Sequence, residues 1–228
     1  MANPKRIMMT TPEGTLLFPS LNQPNVKFNP EGVYEAPLIL RKDAPETVAF
    51  LKKLDPFLES ARKNTETLFE KLPLAARKKL GALTFNPPYS ELFDDTTEEP
   101  TGEIKFNFKL SATWKGKDGK TGVRRAPPLF DASNRKIVDA LEVGSGTRAR
   151  VSFNIHINEE TGAHGYFIPS QGAGGISLKL AAVQIIELRR QGEMSAEEYG
   201  FEQTDGYQAP VSEESAPFED VSADSADF

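Results

Sequence analysis

Cysteine is absent from the 228 residues. That excludes disulfide staples, thiolate nucleophiles and cysteine-based zinc sites, and it fits a reducing cytosol. Histidine is almost as scarce. His156 and His164 are the only two, and they have neither the His-x-x-x-His spacing nor the companion carboxylates of a metal centre. No apolar run approaches the roughly 20 residues of a membrane span, and the opening MANPKRIMMTTPEG holds no apolar stretch of signal-peptide length. A soluble, cytoplasmic chain with no membrane association is expected. The glycines of GSGTR and GAGG open no helix and precede no Lys-Ser/Thr pair, so neither reads as a phosphate loop. No cofactor is expected.

Positive charge is missing from the last 38 residues. All 27 Lys and Arg lie at or before Arg190, whereas 11 of the 33 acids follow it. The formal charge of −6 thus averages a body of +5 over 1–190 and a tail of −11 over 191–228. A basic body with an acidic appendage suits a polyanion-binding surface with a tethered competitor, and equally a solubilising tail. The closing PFEDVSADSADF adds a feature that solubility does not require, an aromatic at its tip.

Along the body the hydrophobic period changes twice. VYEAPLIL (Val33–Leu40) reads as a strand that Pro37 confines to an edge or a bulge. From Ala44, Leu51, Leu54, Leu58, Ala61, Leu68 and Leu72 recur at three- and four-residue steps, which predicts a helical insertion over about 44–80. Pro56, after Asp55 as a cap, and Pro73 are expected to start new helices or kinks. Residues 84–102 read as a polar loop. EIKFNFKLSATW and TRARVSFNIHIN then alternate with period two, and GAGGISLKLAAVQIIELRR supplies a last long strand. The reading is mainly β: a barrel of five to six strands with a helical insertion, spanning 1–190, followed by a disordered acidic tail over 191–228.

Candidate binding residues come from the strands' polar faces. Arg148 and Arg150, two apart, point the same way about 7 Å from each other, and Lys105 and Lys109 repeat the arrangement. Lys115, Lys117 and Lys120 line a turn, and Arg124 and Arg125 follow it. Such cations suit a phosphate track. Flat surfaces for stacking bases are sought in Tyr34, Trp114 and Tyr166. Trp114 shares strand parity with Ile104 and Phe108, so it also fits as a cap on the core. Enzymatic chemistry finds one candidate, a Mg²⁺-dependent nuclease built on Asp94, Asp95, Glu98 and Glu99, but a solvated charge run describes the same loop. A protein adaptor without DNA binding is the third reading.

Taken in order, NPEGVYEAPLIL, FNFKLSATW, GSGTRARVSFNIHI, ISLKLAAVQIIEL and the tail ending Asp227–Phe228 resemble the single-stranded-DNA-binding proteins of bacteriophages, which have an OB-fold and an acidic C-terminal tail ending in Phe. This tail is less densely acidic than the family's. The resemblance implies coating of single strands in replication, recombination and repair, and location in the host cytoplasm. It also implies dimerisation, and contact with replication proteins such as polymerase or helicase through the tail. Asp220, Asp224 and Asp227 would imitate phosphates and Phe228 a base, so that the tail competes with DNA for the groove. A tethered tail acts at a local concentration of about millimolar.

Overall fold

The computed structural model describes residues 7–116, 119–139, 141–155, 157, 162–190 and 204. The chain divides into two units, Met1–Glu193 and Met194–Phe228, and of the second only Thr204 is described. Lys117, His156, Asp220, Asp224, Asp227 and Phe228 lie outside the described residues.

Three short strands open the fold: β1 (Met8–Thr10), β2 (Gly14–Leu16) and β3 (Ser20–Asn25). They precede β4 (Val33–Arg41) and two helices, α1 (Pro45–Glu70) and α2 (Leu74–Leu80). Strands β5 (Thr84–Asn86), β6 (Tyr89–Phe93), β7 (Pro100–Ser111), β8 (Thr113–Lys115) and β9 (Thr121–Val123) follow. The last are β10 (Leu129–Phe130), β11 (Lys136–Ile137), β12 (Arg148–Ile155), β13 (Tyr166–Ile168), β14 (Ala173–Gly175) and β15 (Leu178–Glu187).

Alternation builds the barrel. In β4 the residues Tyr34, Ala36, Leu38 and Leu40 are buried, in β7 Ile104, Phe106 and Phe108, and in β12 Ala149, Val151, Phe153 and Ile155. Each strand turns one face inward, and pairing runs in a closed circuit from β2 to β4, β7, β15, β12 and back to β2. With β2 and β3 forming one bent stave along β4, this is a five-stave barrel. The β7–β15 junction is parallel, with Lys109 beside Lys179. That order is the Greek-key barrel of an OB-fold.

The helical insertion packs against this core. Phe50 of α1 meets Phe106 edge-on at 5.5 Å and Phe153 at 6.0 Å. Leu54 and Ala61 on the same side are fully buried. Contrary to expectation, Pro56 starts no new helix and Asp55 is no cap: α1 runs unbroken through Pro56. Burial on both sides of the proline, at Phe50 and Leu54 before it and at Ala61 and Thr65 after it, offsets the one hydrogen bond lost. Pro73 does cap α2, which ends at Gly81 with φ 75°. The expected loop over 84–102 holds two whole strands, β5 and β6, and the first three residues of β7. Strand β5 joins β14 and β13 in a small three-stranded sheet that rests on α1, where Gly174 leaves room for Thr65 and Gly165 for Ala61.

Pro37 sits in an interior stave, at a bulge rather than an edge. Leu17 donates its N–H to the Pro37 carbonyl at 2.9 Å, and pairing resumes with Ser20 opposite Glu35. Three residue steps therefore face two, and one residue is extra. The N–H that Pro37 lacks would have pointed to this same side, so the bulge falls where the ladder has no donor. It holds Phe18 at φ 48°, a left-handed conformation that costs a bulky residue about 1–3 kcal/mol.

Candidate nucleic-acid interface

Val33 lies opposite Ser111, and Lys109 beside Lys179. One rim of the barrel therefore gathers the start of β4, the end of β7 and the start of β15. The other rim holds Arg41 opposite Glu103 and Arg148 beside Glu187. Eight residue steps along β4 separate the rims, about 26 Å.

At the first rim β7 breaks at Ala112, whose side chain is buried. The β8–β9 hairpin then leaves the barrel. This break interrupts the alternation, so Trp114 does not follow Ile104 and Phe108 into the core. Its indole is 45% exposed and lies across Gly122 of β9, where any Cβ would fall within the ring. Arg124 secures the hairpin base, donating from Nε to the Thr113 carbonyl at 3.2 Å and from its backbone N–H to the Ala112 carbonyl at 2.7 Å.

The loop between β3 and β4 stands beside this hairpin. Glu31 of the loop accepts a hydrogen bond from the Thr113 hydroxyl at 3.3 Å and pairs with Lys115 at 3.4 Å. Three residues earlier in the same loop, Phe28 is 86% exposed, with the Lys27 ammonium 5.4 Å from its ring centre. Phe28 carries no periodic signal in the sequence, because a loop has no period to read. The available signal was an aromatic next to a lysine in NVKFNPEG, a stretch with no helical or strand pattern to bury it.

Two cations continue down the outer face of β7, beside β4. Lys109 pairs with Glu35 across the ladder at 2.8 Å, and Lys105 lies four residues on, opposite Ile39. Exposed Phe28 on the β3–β4 loop and Trp114, Lys115 and Arg124 on the hairpin thus stand at the rim where β7 ends, with Lys109 and Lys105 along the outer side of β7 itself. It is the second and third staves on which OB-folds receive oligonucleotides. Arg125 is exposed just beyond the hairpin.

Other expected residues lie elsewhere. Tyr34 is only 6% exposed: it shares the inward parity of Ala36, Leu38 and Leu40 and is not a stacking surface. Arg148 and Arg150 sit toward the far rim and share one carboxylate. Arg148 pairs with Glu13 and, at 3.1 Å, with Glu187, while Arg150 reaches Glu13 at 3.8 Å. The hydrogen bonds that Arg148 donates, to Glu13 first and to Glu187 second, raise its pKa. These arginines do not join the course built on β7. Tyr166 belongs to the small sheet, half-buried, its ring against Gly175 and its hydroxyl accepting from Asn86 at 3.4 Å.

The acids of 94–99 form a turn. Asp94 accepts the backbone N–H groups of Thr96 and Thr97, both at 2.8 Å, and these bonds hold its carboxyl below the usual carboxylate range. Among the described residues no group of three or more His, Asp or Glu is arranged to hold a metal ion, and no helix is long and apolar enough to cross a membrane.

No protein-family model and no curated protein sequence matches this chain. A solved structure does: gp2.5, a single-stranded-DNA-binding protein encoded by bacteriophage T7, aligns over 90% of this chain and 100% of its own, at 20% identity and a TM-score of 0.59. The two chains share one fold. The single-stranded-DNA-binding protein from bacteriophage Enc34 aligns over 88% of this chain and 97% of its own, at 15% identity and a TM-score of 0.49. The resemblance read from the sequence therefore holds for the barrel and for the helix after its early strands.

Proposed function

We propose that this chain is a non-enzymatic, sequence-tolerant single-stranded-DNA-binding protein that coats and protects single strands during bacteriophage DNA replication, recombination and repair. The observation that carries the reading is two exposed rings, Phe28 and Trp114, on a loop and a hairpin that Glu31 ties together, with Lys115 and Arg124 on the same hairpin and Lys109 and Lys105 on the adjoining stave. Bases stack on rings regardless of sequence, and lysines and arginines neutralise the backbone between them.

Trp114 is the only tryptophan, so its fluorescence reports directly on the site. Titration with oligo-dT is expected to quench it. Trp114→Ala, followed by anisotropy of a labelled oligonucleotide, is expected to weaken binding about tenfold, the loss of one stacked base, with the unfolding midpoint unchanged. Equal affinity for the variant would remove the hairpin from the site. Incubating labelled single strands with Mg²⁺ is expected to leave them intact, whereas cleavage would favour a nuclease using the 94–99 acids. Failure to retain oligonucleotide on nitrocellulose would favour the adaptor reading.

The acidic tail competes with DNA and, once displaced, offers Asp220, Asp224, Asp227 and Phe228 to replication proteins such as polymerase or helicase. A homodimer in which the tails take part belongs to the same reading. Support for the tail's role comes from its charge of −11 against a body of +5 and from its terminal ring. Deleting residues 211–228 is expected to tighten oligo-dT binding severalfold at low salt, measured by gel shift. Unchanged affinity would make the tail a solubility device.

A further inference from the structure

Phe18 combines two features that are each disfavoured. Its ring is 79% exposed, and its backbone is left-handed at φ 48°, a region that glycine or asparagine occupies far more readily. A bulge that served only to relax the ladder opposite Pro37 would be better made with either. Phenylalanine there lowers the stability of the fold, and its ring recovers almost nothing by burial. Observed strain of this kind points to use of the side chain, and bulges commonly re-aim one.

The location says what for. The extra residue lies between Leu17, bonded to Pro37, and Ser20, opposite Glu35. Pro37 and Glu35 face outward on β4, and across them on β7 stand Asn107 and Lys109. Two strand spacings, about 10 Å, separate the bulge from the Lys109 backbone. A single strand whose phosphates track Lys109 and Lys105 would bring a base over this side of the stave. We propose that Phe18 is a base-stacking platform, displayed by the β2–β3 bulge on the flank of the β4–β7 face, which lengthens the path beyond Phe28 and Trp114. This rests on the single-strand-binding reading above.

The test is anisotropy with oligo-dT and with an abasic backbone of equal length, on the full chain and on Phe18→Gly, Phe18→Leu and Phe18→Tyr. Glycine suits the left-handed backbone, so Phe18→Gly is expected to fold with an unfolding temperature equal to or above that of the parent. It should bind oligo-dT about five- to tenfold more weakly and the abasic strand equally. Phe18→Leu should behave like Phe18→Gly, and Phe18→Tyr like the parent. Equal affinity of parent and Phe18→Gly for oligo-dT would overturn the assignment alone. A changed sedimentation coefficient with unchanged DNA affinity would overturn it too, giving the ring to a protein contact. A parent chain that binds neither strand would overturn the binding reading itself.

Discussion

Phe106→Ala is expected to lower the unfolding free energy by about 3–5 kcal/mol, read as a fall in the urea midpoint with an unchanged slope. Phe106 is fully buried on β7 and is the meeting point of three rings: Phe50 of α1 at 5.5 Å, Tyr89 of β6 at 5.2 Å and Phe108 at 6.0 Å. Removing it deletes apolar area, leaves a cavity, and cancels ring contacts worth roughly 0.5–1.5 kcal/mol each. The insertion feels the loss most, because Phe50 docks α1 partly through this ring. Against a typical total of about 5–15 kcal/mol, the variant would be marginal at 37 °C. Phe106→Leu retains much of the volume and should lose far less. The outer face of β7 would keep its lysines, so at low temperature the folded variant should still bind oligo-dT. A loss of unfolding free energy below about 1 kcal/mol, against the expected ~3–5, would mean that the helix does not depend on this contact.

The barrel staves were legible because each alternates. Ile104, Phe106 and Phe108 against Lys105, Asn107 and Lys109 can be read by parity alone, and so can Ala149 to Ile155 on β12. The same parity, applied to β4, puts Tyr34 with Ala36 and Leu38 on the inner face, so position and not residue type decides its role. What could not be read was set by distant partners. Arg148 is joined to Glu13, 135 residues away, and to Glu187, 39 away, and no local pattern announces that a phosphate-spaced arginine pair is already occupied. The strands β5 and β6 are short and largely exposed, so they carry too little apolar repetition to stand out from a polar loop. Phe28 and Phe18 escaped for a related reason: one lies in a loop and the other at a bulge, and neither place has a period. Pro56 misled because its intrinsic effect on a helix was weighed without the buried residues on both sides of it.

Raising sodium chloride from about 50 to 200 mM is expected to weaken oligo-dT binding about fifty-fold. This follows from a slope of roughly −0.7 per neutralised phosphate on a single strand and four cations on the proposed course: Lys105, Lys109, Lys115 and Arg124. Two of them already have a carboxylate partner, Lys109 with Glu35 and Lys115 with Glu31, and Arg124 donates from Nε to the Thr113 carbonyl. Both ammonium groups are exposed, and pairs at the surface are worth only about 0–1 kcal/mol each. Glu35, 20% exposed, keeps the hydrogen bond it accepts from Asn25 at 3.2 Å when Lys109 leaves it, so exchange of a carboxylate for a phosphate costs little. A log–log plot of affinity against salt therefore assigns each cation. Lys109→Gln should flatten the slope by about 0.7, whereas Arg148→Gln should leave it unchanged, because Arg148 sits toward the far rim between Glu13 and Glu187. The opposite result, with Arg148→Gln flattening the plot and Lys109→Gln not, would mean that the strand follows β12. It would move the interface from the Trp114 hairpin to the rim where Glu13 now holds both arginines.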